Sequence, residues 1–496
     1  MNYRQVFKIL CLILRCIACL MLLPILVGIL NKEPETWTFI VTAAGCFVFS
    51  MASLLWKPKN RSIYAREGFV IVSVSWLLLG VIGALPFLFS GVIPSFVDAF
   101  FEIVSGFTTT GASILTDIEA LPRCMLFWRS FSIWIGGMGV LVFVLAIVPL
   151  SSGRDMHILR AEAPGPAVGK LVPKMKQTAM ILYGIYIALT IIELVLLLFG
   201  GMSLFDAATH AFSNAGTGGF STKNAGIPAF QSAYIEIVLT VFMFLFSVNF
   251  NIFYFLLIRR AKDVVKNEEF RWYILITVAS ILAITCNIFS TYNSVGTALR
   301  HAAFQVATVS STTGFSSADF AQWPELSRMI LLLLMLLGGC GGSTAGGLKI
   351  SRLVILGKSI LREIRRLSHP RSVTVIKVDG QSLDEDVVTG TTMYFLTYIG
   401  ILLAGMLLIS FNGLDFETTF SSVVACFNNV GPGFGEIVGP MGNYASLSDF
   451  SKIVLSFLML LGRLEIFPML IIFSPSIWYK RRSFGRARKQ YHPHKV

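Results

Sequence analysis

The stretch Ser105-Gly106-Phe107-Thr108-Thr109-Thr110-Gly111-Ala112-Ser113 returns three times in altered form. The later copies are Ser213-Asn214-Ala215-Gly216-Thr217-Gly218-Gly219-Phe220-Ser221, Thr308-Val309-Ser310-Ser311-Thr312-Thr313-Gly314-Phe315-Ser316 and Phe427-Asn428-Asn429-Val430-Gly431-Pro432-Gly433-Phe434-Gly435. Aligned on glycine, they bring Gly111, Gly219, Gly314 and Gly433 into register at separations of 108, 95 and 119 residues. Ahead of the tracts lie SFVDAFFEIV, SLFDAATHAF, ALRHAAFQVA and DFETTFSSVVA. Such segments are too short to cross a bilayer and too long for a turn, so they read as re-entrant. Long apolar runs flank each one. A fixed period of this kind points to four copies of one unit: helix, re-entrant segment, helix.

Non-helical backbone survives at membrane depth only when it is buried in protein or lines water. Four such tracts in one chain therefore imply pseudo-fourfold symmetry about an aqueous axis. Glycine permits the backbone angles that turn successive carbonyls inward, where they replace a cation's hydration shell. The short helices would aim their partly negative C-terminal ends at the same place. The candidate filter residues are Thr109, Thr110 and Gly111; Thr217, Gly218 and Gly219; Thr312, Thr313 and Gly314; and Val430, Gly431 and Gly433. Asp98 and Asp206 each stand 13 residues before their repeat glycine, where a carboxylate either caps a helix or concentrates cations at the mouth.

The composition agrees with a lipid solvent. Of 496 residues, 55% are hydrophobic and 14% charged, with a mean hydropathy of +0.74; soluble domains carry about 25% charged residues. The net charge of +13 does not form one nucleic-acid-binding surface. It falls in clusters between apolar runs: WKPKNRSIYARE, RDMHILRAEAPGPAVGKLVPKMK, RRAKDVVKNEEFR, KISRLVILGKSILREIRRLSHPRSVTVIK and the tail YKRRSFGRARKQYHPHK. These alternate loops become the cytoplasmic side, with both termini on it. The eight cysteines and six histidines show no paired or metal-ligating spacing, and no nucleophile–base set suggests an enzyme.

Ten crossings are expected, near residues 7–30, 38–56, 68–90, 126–149, 178–200, 232–258, 272–292, 328–350, 388–411 and 451–478. The fold class is an all-α polytopic membrane protein. Two N-terminal helices occupy 1–60. Repeats occupy 61–152, 153–262, 263–358 and 359–482, and a basic tail occupies 483–496. The eighth crossing is interrupted by Gly338-Gly339-Cys340-Gly341-Gly342-Ser343-Thr344-Ala345-Gly346-Gly347. Glycine at this density disfavours a straight helix, and broken helices at membrane depth mark conduction or binding sites. Gly338, Gly339, Gly341, Gly342, Gly346 and Gly347 are read as a loop that obstructs the pore when closed. Arg463 lies inside the last apolar helix, where a buried cation is costly and usually functional. It either repels cations and holds the loop, or belongs to a structural ion pair. Glu465, two residues away, does not face it on a helix.

With Trp134-Ile135-Gly136-Gly137-Met138-Gly139 and Leu461-Gly462-Arg463-Leu464-Glu465, the four tracts make the chain resemble the Trk/Ktr/HKT superfamily of potassium transporters, in its bacterial TrkH/TrkG branch. The resemblance runs nearly end to end. It implies four M1–pore helix–M2 units around one potassium pore, a homodimer in the bacterial inner membrane, and gating by a cytosolic ring of TrkA-type RCK subunits that carry the nucleotide. It also implies a gating role for Arg463. In plant relatives a serine at the first filter glycine accompanies sodium preference, so Gly111 favours potassium. The tracts share essentially one glycine, which points to fewer ordered carbonyl rings and modest selectivity. The alternative is a proton- or sodium-coupled potassium symporter. Such carriers usually bury an acid mid-membrane, whereas Asp98, Glu102, Asp206 and Glu417 cluster near the starts of the short helices.

Overall fold

The computed structural model describes residues 2–55, 65–139, 175–372 and 374–475. It is helical almost throughout; among the described residues the only sheet is a two-stranded hairpin, Lys377–Val378 with Gln381–Ser382. The basic stretches 56–64, 154–174 and 480–495, and the end of the fourth expected crossing, lie outside the described residues.

A leading apolar span, Tyr3–Asn31, and the helix Thr36–Leu55 precede the repeating part. Four triplets follow. Their long leading helices are Ala65–Ser90, Met175–Phe199, Glu268–Tyr292 and Glu385–Ser410. Their short helices are Phe96–Phe107, Leu204–Ala215, Val295–Ser310 and Phe416–Phe427. Their following helices are Arg123–Gly137, Ala233–Ser247, Glu325–Leu337 and Asp449–Arg463.

Local sequence explains both ends of every short helix. Ser95, Ser203, Ser294 and Asp415 stand at the N-caps, each accepting from the backbone N–H three residues on; an N-cap of this kind is worth about 1 kcal/mol. Asp98 and Asp206 occupy that third position, where an acid suits the helix dipole. At the other end, Thr109, Thr217, Thr312 and Asn429 all adopt φ of 55° to 58°. The next N–H then reaches back five residues: Thr110 to Ser105 O, Gly218 to Ser213 O, Thr313 to Thr308 O and Val430 to Ala425 O, at 2.8–2.9 Å. This is the Schellman arrangement, with threonine or asparagine where glycine is usual.

More of the expected crossings are broken than the sequence suggests. Among the described residues, five helices are long and apolar enough to span a membrane, and two bent pairs raise the number to seven. The expected break in the eighth crossing is present, and the sixth and tenth crossings break as well. Ala233–Ser247 meets Phe250–Leu257 at 93°, and Asp449–Arg463 meets Phe467–Phe473 at 119°. At the second of these bends Glu465 and Ile466 take φ of 55° and 62°, a region where a β-branched residue is a genuine outlier. All four following helices thus end soon after passing the tract of their own repeat.

Three charged pairs and one cation–ring contact link each triplet to the next. Arg300 and Glu236 lie 3.0 Å apart, Arg328 pairs with Glu417, and Lys452 Nζ meets Asp98 Oδ1 at 2.6 Å across 354 residues of sequence. Between the first and second triplets Arg123 lies over the Phe205 ring at 5.6 Å. In each case a residue of a following helix meets the short helix of the next triplet, and the fourth meets the first.

Candidate pore site

The four tracts close a ring. Gly111, Gly219, Gly314 and Gly431 have φ of 80°, 66°, 83° and 97°. Each packs its Cα face against a carbonyl of the neighbouring tract: Gly111 against Gly218 O, Gly219 against Thr313 O, Gly314 against Val430 O and Gly431 against Thr110 O. At Gly431 an added Cβ would lie 2.5 Å from that oxygen. The order runs from one to four and back to one. Positive φ at alternate residues turns successive carbonyls toward the same side, the geometry that replaces a cation's water shell. Threonine at φ near 57° is a strained choice, and such strain clusters at functional sites.

The fourth tract corrects the alignment made from sequence. Its glycine in register is Gly431, not Gly433. The Gly-Phe pair common to the second and third tracts draws Gly433-Phe434 into false register, because Pro432 and Gly433 extend the fourth tract by two residues. Gly433 instead donates to Val438 O at 2.6 Å and packs against Ser421. Asn429 takes the place of Thr109, Thr217 and Thr312, and its amide donates to Thr110 Oγ1 and Met459 O, both at 3.0 Å.

All of Thr109, Thr110, Thr217, Thr312, Thr313 and Val430 are fully buried. Thr108 and Thr110 hydroxyls meet at 2.8 Å and those of Ser311 and Thr313 at 2.6 Å. Thr109 Oγ1 is buried with no hydrogen-bond partner among the described residues.

The glycine-rich segment lies directly against this ring. The helix Glu325–Leu337 stops at Gly338, φ 68°, and the helix Ile350–Ser368 starts after Lys349, φ 76°. Between them Gly346 N donates to Thr312 Oγ1 at 2.7 Å. Gly346 also lies so close to Asn428 O that a side chain there would clash. Other anchors come from the second triplet: Cys340 N donates to Ser247 O (3.0 Å), Thr344 Oγ1 to Phe246 O (3.0 Å), and Phe250 N to Gly342 O (3.1 Å). The acceptors are free because the helix Ala233–Ser247 ends there.

Arg463 reaches the same segment. Its Nη1 donates to Thr344 O at 2.8 Å, and its Nη2 to Gly136 O and Gly137 O at 2.5 and 2.6 Å. It therefore ties the segment to the end of the helix Arg123–Gly137, the helix carrying the Trp-Ile-Gly-Gly motif. Glu465 is not its partner in these bonds. Glu465 pairs with Arg352, whose guanidinium lies 3.8 Å from the Tyr394 ring.

Sequence reasoning missed two acids. Glu269 Oε1 accepts from Gly341 N at 2.6 Å and from Ser351 N at 3.0 Å, so one carboxylate holds both ends of the loop. Glu193 is fully buried in Met175–Phe199 and accepts from Asn214 Nδ2, while its Oε2 has no hydrogen-bond partner among the described residues. A lone acid inside a long apolar run was the available signal for Glu193. Glu269 carried none, being one of two acids in an ordinary first helical turn. Asp98 and Asp206 prove committed within the protein: Asp98 to Lys452, and Asp206 to the hydroxyls of Thr222 (2.6 Å) and Ser203 (2.8 Å).

The chain is similar along its length to known proteins. The family model described as TrkH, cation transport protein, matches residues 38–480. The Salmonella typhimurium Trk system potassium uptake protein TrkH is 37% identical over 96% of this chain and all of its own. Its Escherichia coli K12 counterpart is 36% identical over the same shares, and the E. coli TrkG protein 34% over 92% and 95%. The crystal structure of the potassium transporter TrkH from Vibrio parahaemolyticus superposes with a TM-score of 0.87 at 35% identity, over 97% of this chain and all of that one. The ring of four tracts thus sits in a chain that belongs to the TrkH family of cation transport proteins, multi-pass membrane transporters rather than enzymes.

Proposed function

We propose that this protein takes potassium up across the bacterial inner membrane through a single pore, with the ring of Thr109–Gly111, Thr217–Gly219, Thr312–Gly314 and Asn429–Gly431 as its filter. One observation carries the reading: four left-handed turns bring the carbonyls of Thr110, Gly218, Thr313 and Val430 to the glycines of neighbouring tracts in a closed cycle. The four short helices end at these tracts, adding the negative ends of their dipoles to the same volume. The names of the relatives support potassium as the ion.

The segment Gly338–Lys349 acts as the gate. It abuts the ring at Thr312, and Arg463 holds it from the opposite side with a positive charge on the ion path. Opening requires the segment to leave Arg463, Ser247 and Glu269. The basic helix Ile350–Ser368, continuous with the segment, is the natural lever for a cytosolic TrkA-type ring, with both termini on that side. The functional unit is a homodimer, each protomer built from the four repeats and the two N-terminal helices. These last assignments rest on the resemblance and on loop charge.

The test is rubidium-86 uptake into liposomes holding the purified protein, with sodium as competitor. Uptake that resists sodium supports the filter. Absence of cation flux under any gradient, with or without a regulatory subunit, overturns it.

Glu193 favours a second reading. A carboxyl buried in a long membrane helix is the group an ion-coupled carrier protonates. A symporter would move protons into liposomes along with rubidium, and Glu193→Gln would abolish that movement while leaving rubidium exchange. Rubidium flux with no proton movement overturns this reading.

A further inference from the structure

Behind every tract a buried polar side chain on the short helix reaches past the filter glycine to the chain leaving it. Glu102 accepts from Ser113 Oγ (3.0 and 3.1 Å) and Ile114 N (2.9 Å). His210 Nε2 meets Ser221 Oγ at 3.0 Å. Gln305 donates to Ala318 O at 3.2 Å, and Ser421 exchanges hydrogen bonds with Phe434 N and O at 2.9 and 3.0 Å. Three of these tethers are not ion pairs. The first alone is built on one: Arg129 Nε donates to Glu102 Oε1 at 2.7 Å, with the two side chains 2% and 0% exposed.

Arg129 does more than neutralise Glu102. Its Nη2 reaches Ser113 Oγ at 3.3 Å, and its guanidinium lies 4.2 Å from the ring of Phe220. Ser113 leaves the first tract and Phe220 directly follows Gly219 of the second. One planar group therefore spans the exits of two adjacent tracts. That is the edge where Gly111 packs on the Gly218 carbonyl. A buried ion pair is a weak source of stability, because desolvation offsets most of the Coulomb gain. Its fixed fork geometry and its stacking on an aromatic face are what lysine could not supply.

We infer that Glu102 and Arg129 are a positioning pair that holds the first two tracts at a fixed span, and that this span sets discrimination of potassium from sodium. The inference rests on the filter reading above. Sodium is rejected only if the carbonyls cannot follow the smaller ion inward, whether selectivity comes from cavity size or from carbonyl number. A charged clamp behind one edge of the ring opposes that movement.

The experiment compares rubidium-86 and sodium-22 uptake in liposomes for wild type, Glu102→Gln, Arg129→Gln, Arg129→Lys, Ser113→Ala and Phe220→Leu, with thermal stability of each purified variant. The expected result is a rubidium-over-sodium ratio lowered about tenfold in Glu102→Gln and Arg129→Gln, the worth of one charge-assisted hydrogen bond. Arg129→Lys falls between these and wild type, and Phe220→Leu lowers the ratio with the ion pair intact. A purely structural role would reduce both fluxes by the same factor and leave the ratio unchanged, which overturns the inference. Should the neutralised variants fail to fold, an unchanged ratio in both Ser113→Ala and Phe220→Leu overturns it. No flux of either cation through wild type overturns the filter reading itself, and the inference with it.

Discussion

Replacing Arg463 with alanine tests the gate most directly. Among the described residues its guanidinium donates to three carbonyls, of which one, Thr344 O, belongs to the proposed gate segment Gly338–Lys349. The other two, to Gly136 O and Gly137 O, fix the side chain to a neighbouring helix and need not break on opening. A hydrogen bond to a charged group contributes about 1.5–3 kcal/mol. Losing the one on the gate segment therefore shifts the open-to-closed ratio by about 10- to 100-fold. In the proposed pore, removing a cation from the ion path acts in the same direction. Rubidium uptake by Arg463→Ala without any regulatory subunit should rise at least about tenfold, with its ion selectivity kept, since the filter ring is untouched. Single-channel recording should show longer open times at unchanged conductance order. Arg463→Lys, which keeps the charge but loses the fork that spans three carbonyls, should fall between. A folded Arg463→Ala whose flux equals or falls below that of wild type would refute the assignment of this side chain to the closed state.

Gly111→Ser should abolish the resistance of rubidium uptake to sodium, because a Cβ there has both a positive φ and the Gly218 carbonyl against it; the competition assay reads this directly. Gly431→Ala and Gly433→Ala separate the two candidate registers. The first should collapse selectivity by striking Thr110 O, and the second should lower thermal stability by about 1–3 kcal/mol through crowding Ser421 while the ion ratio stays near wild type. Glu269→Ala should raise basal flux severalfold by releasing Gly341 N and Ser351 N together, whereas Glu269→Gln, which keeps an acceptor, should raise it less; liposome uptake distinguishes them.

Much of the candidate filter was legible because its code is local. The short apolar helices and the glycine-containing tracts that follow them are contiguous in the chain, and glycine's backbone preferences are intrinsic. Four copies made them readable against the background. The fourth tract misled because glycine spacing carries no information on which of two glycines takes φ of 97°; that choice is made by where Thr110 O of the first tract stands. The breaks after Ser247 and Arg463 escaped notice because no glycine-rich run announces them. The partners at these breaks come from the distant segment Gly338–Lys349, which donates to the carbonyls of Phe246 and Ser247 and accepts from the Arg463 side chain.

Sequence alone determined the class of molecule: an apolar chain with basic loops, four helix–re-entrant segment–helix units, a glycine-rich interruption and an arginine, Arg463, inside the last apolar helix. The tertiary structure decided the rest. The order of the tracts around the ring, the pairing of Lys452 with Asp98 across the chain, the partners of Arg463, and the burial of Glu193 and Glu269 all depend on distances through space. Backbone propensity acts over a few residues, so the sequence displays it openly. Ring closure and charge pairing join residues separated by whole repeats, and spacing along the chain carries no record of them.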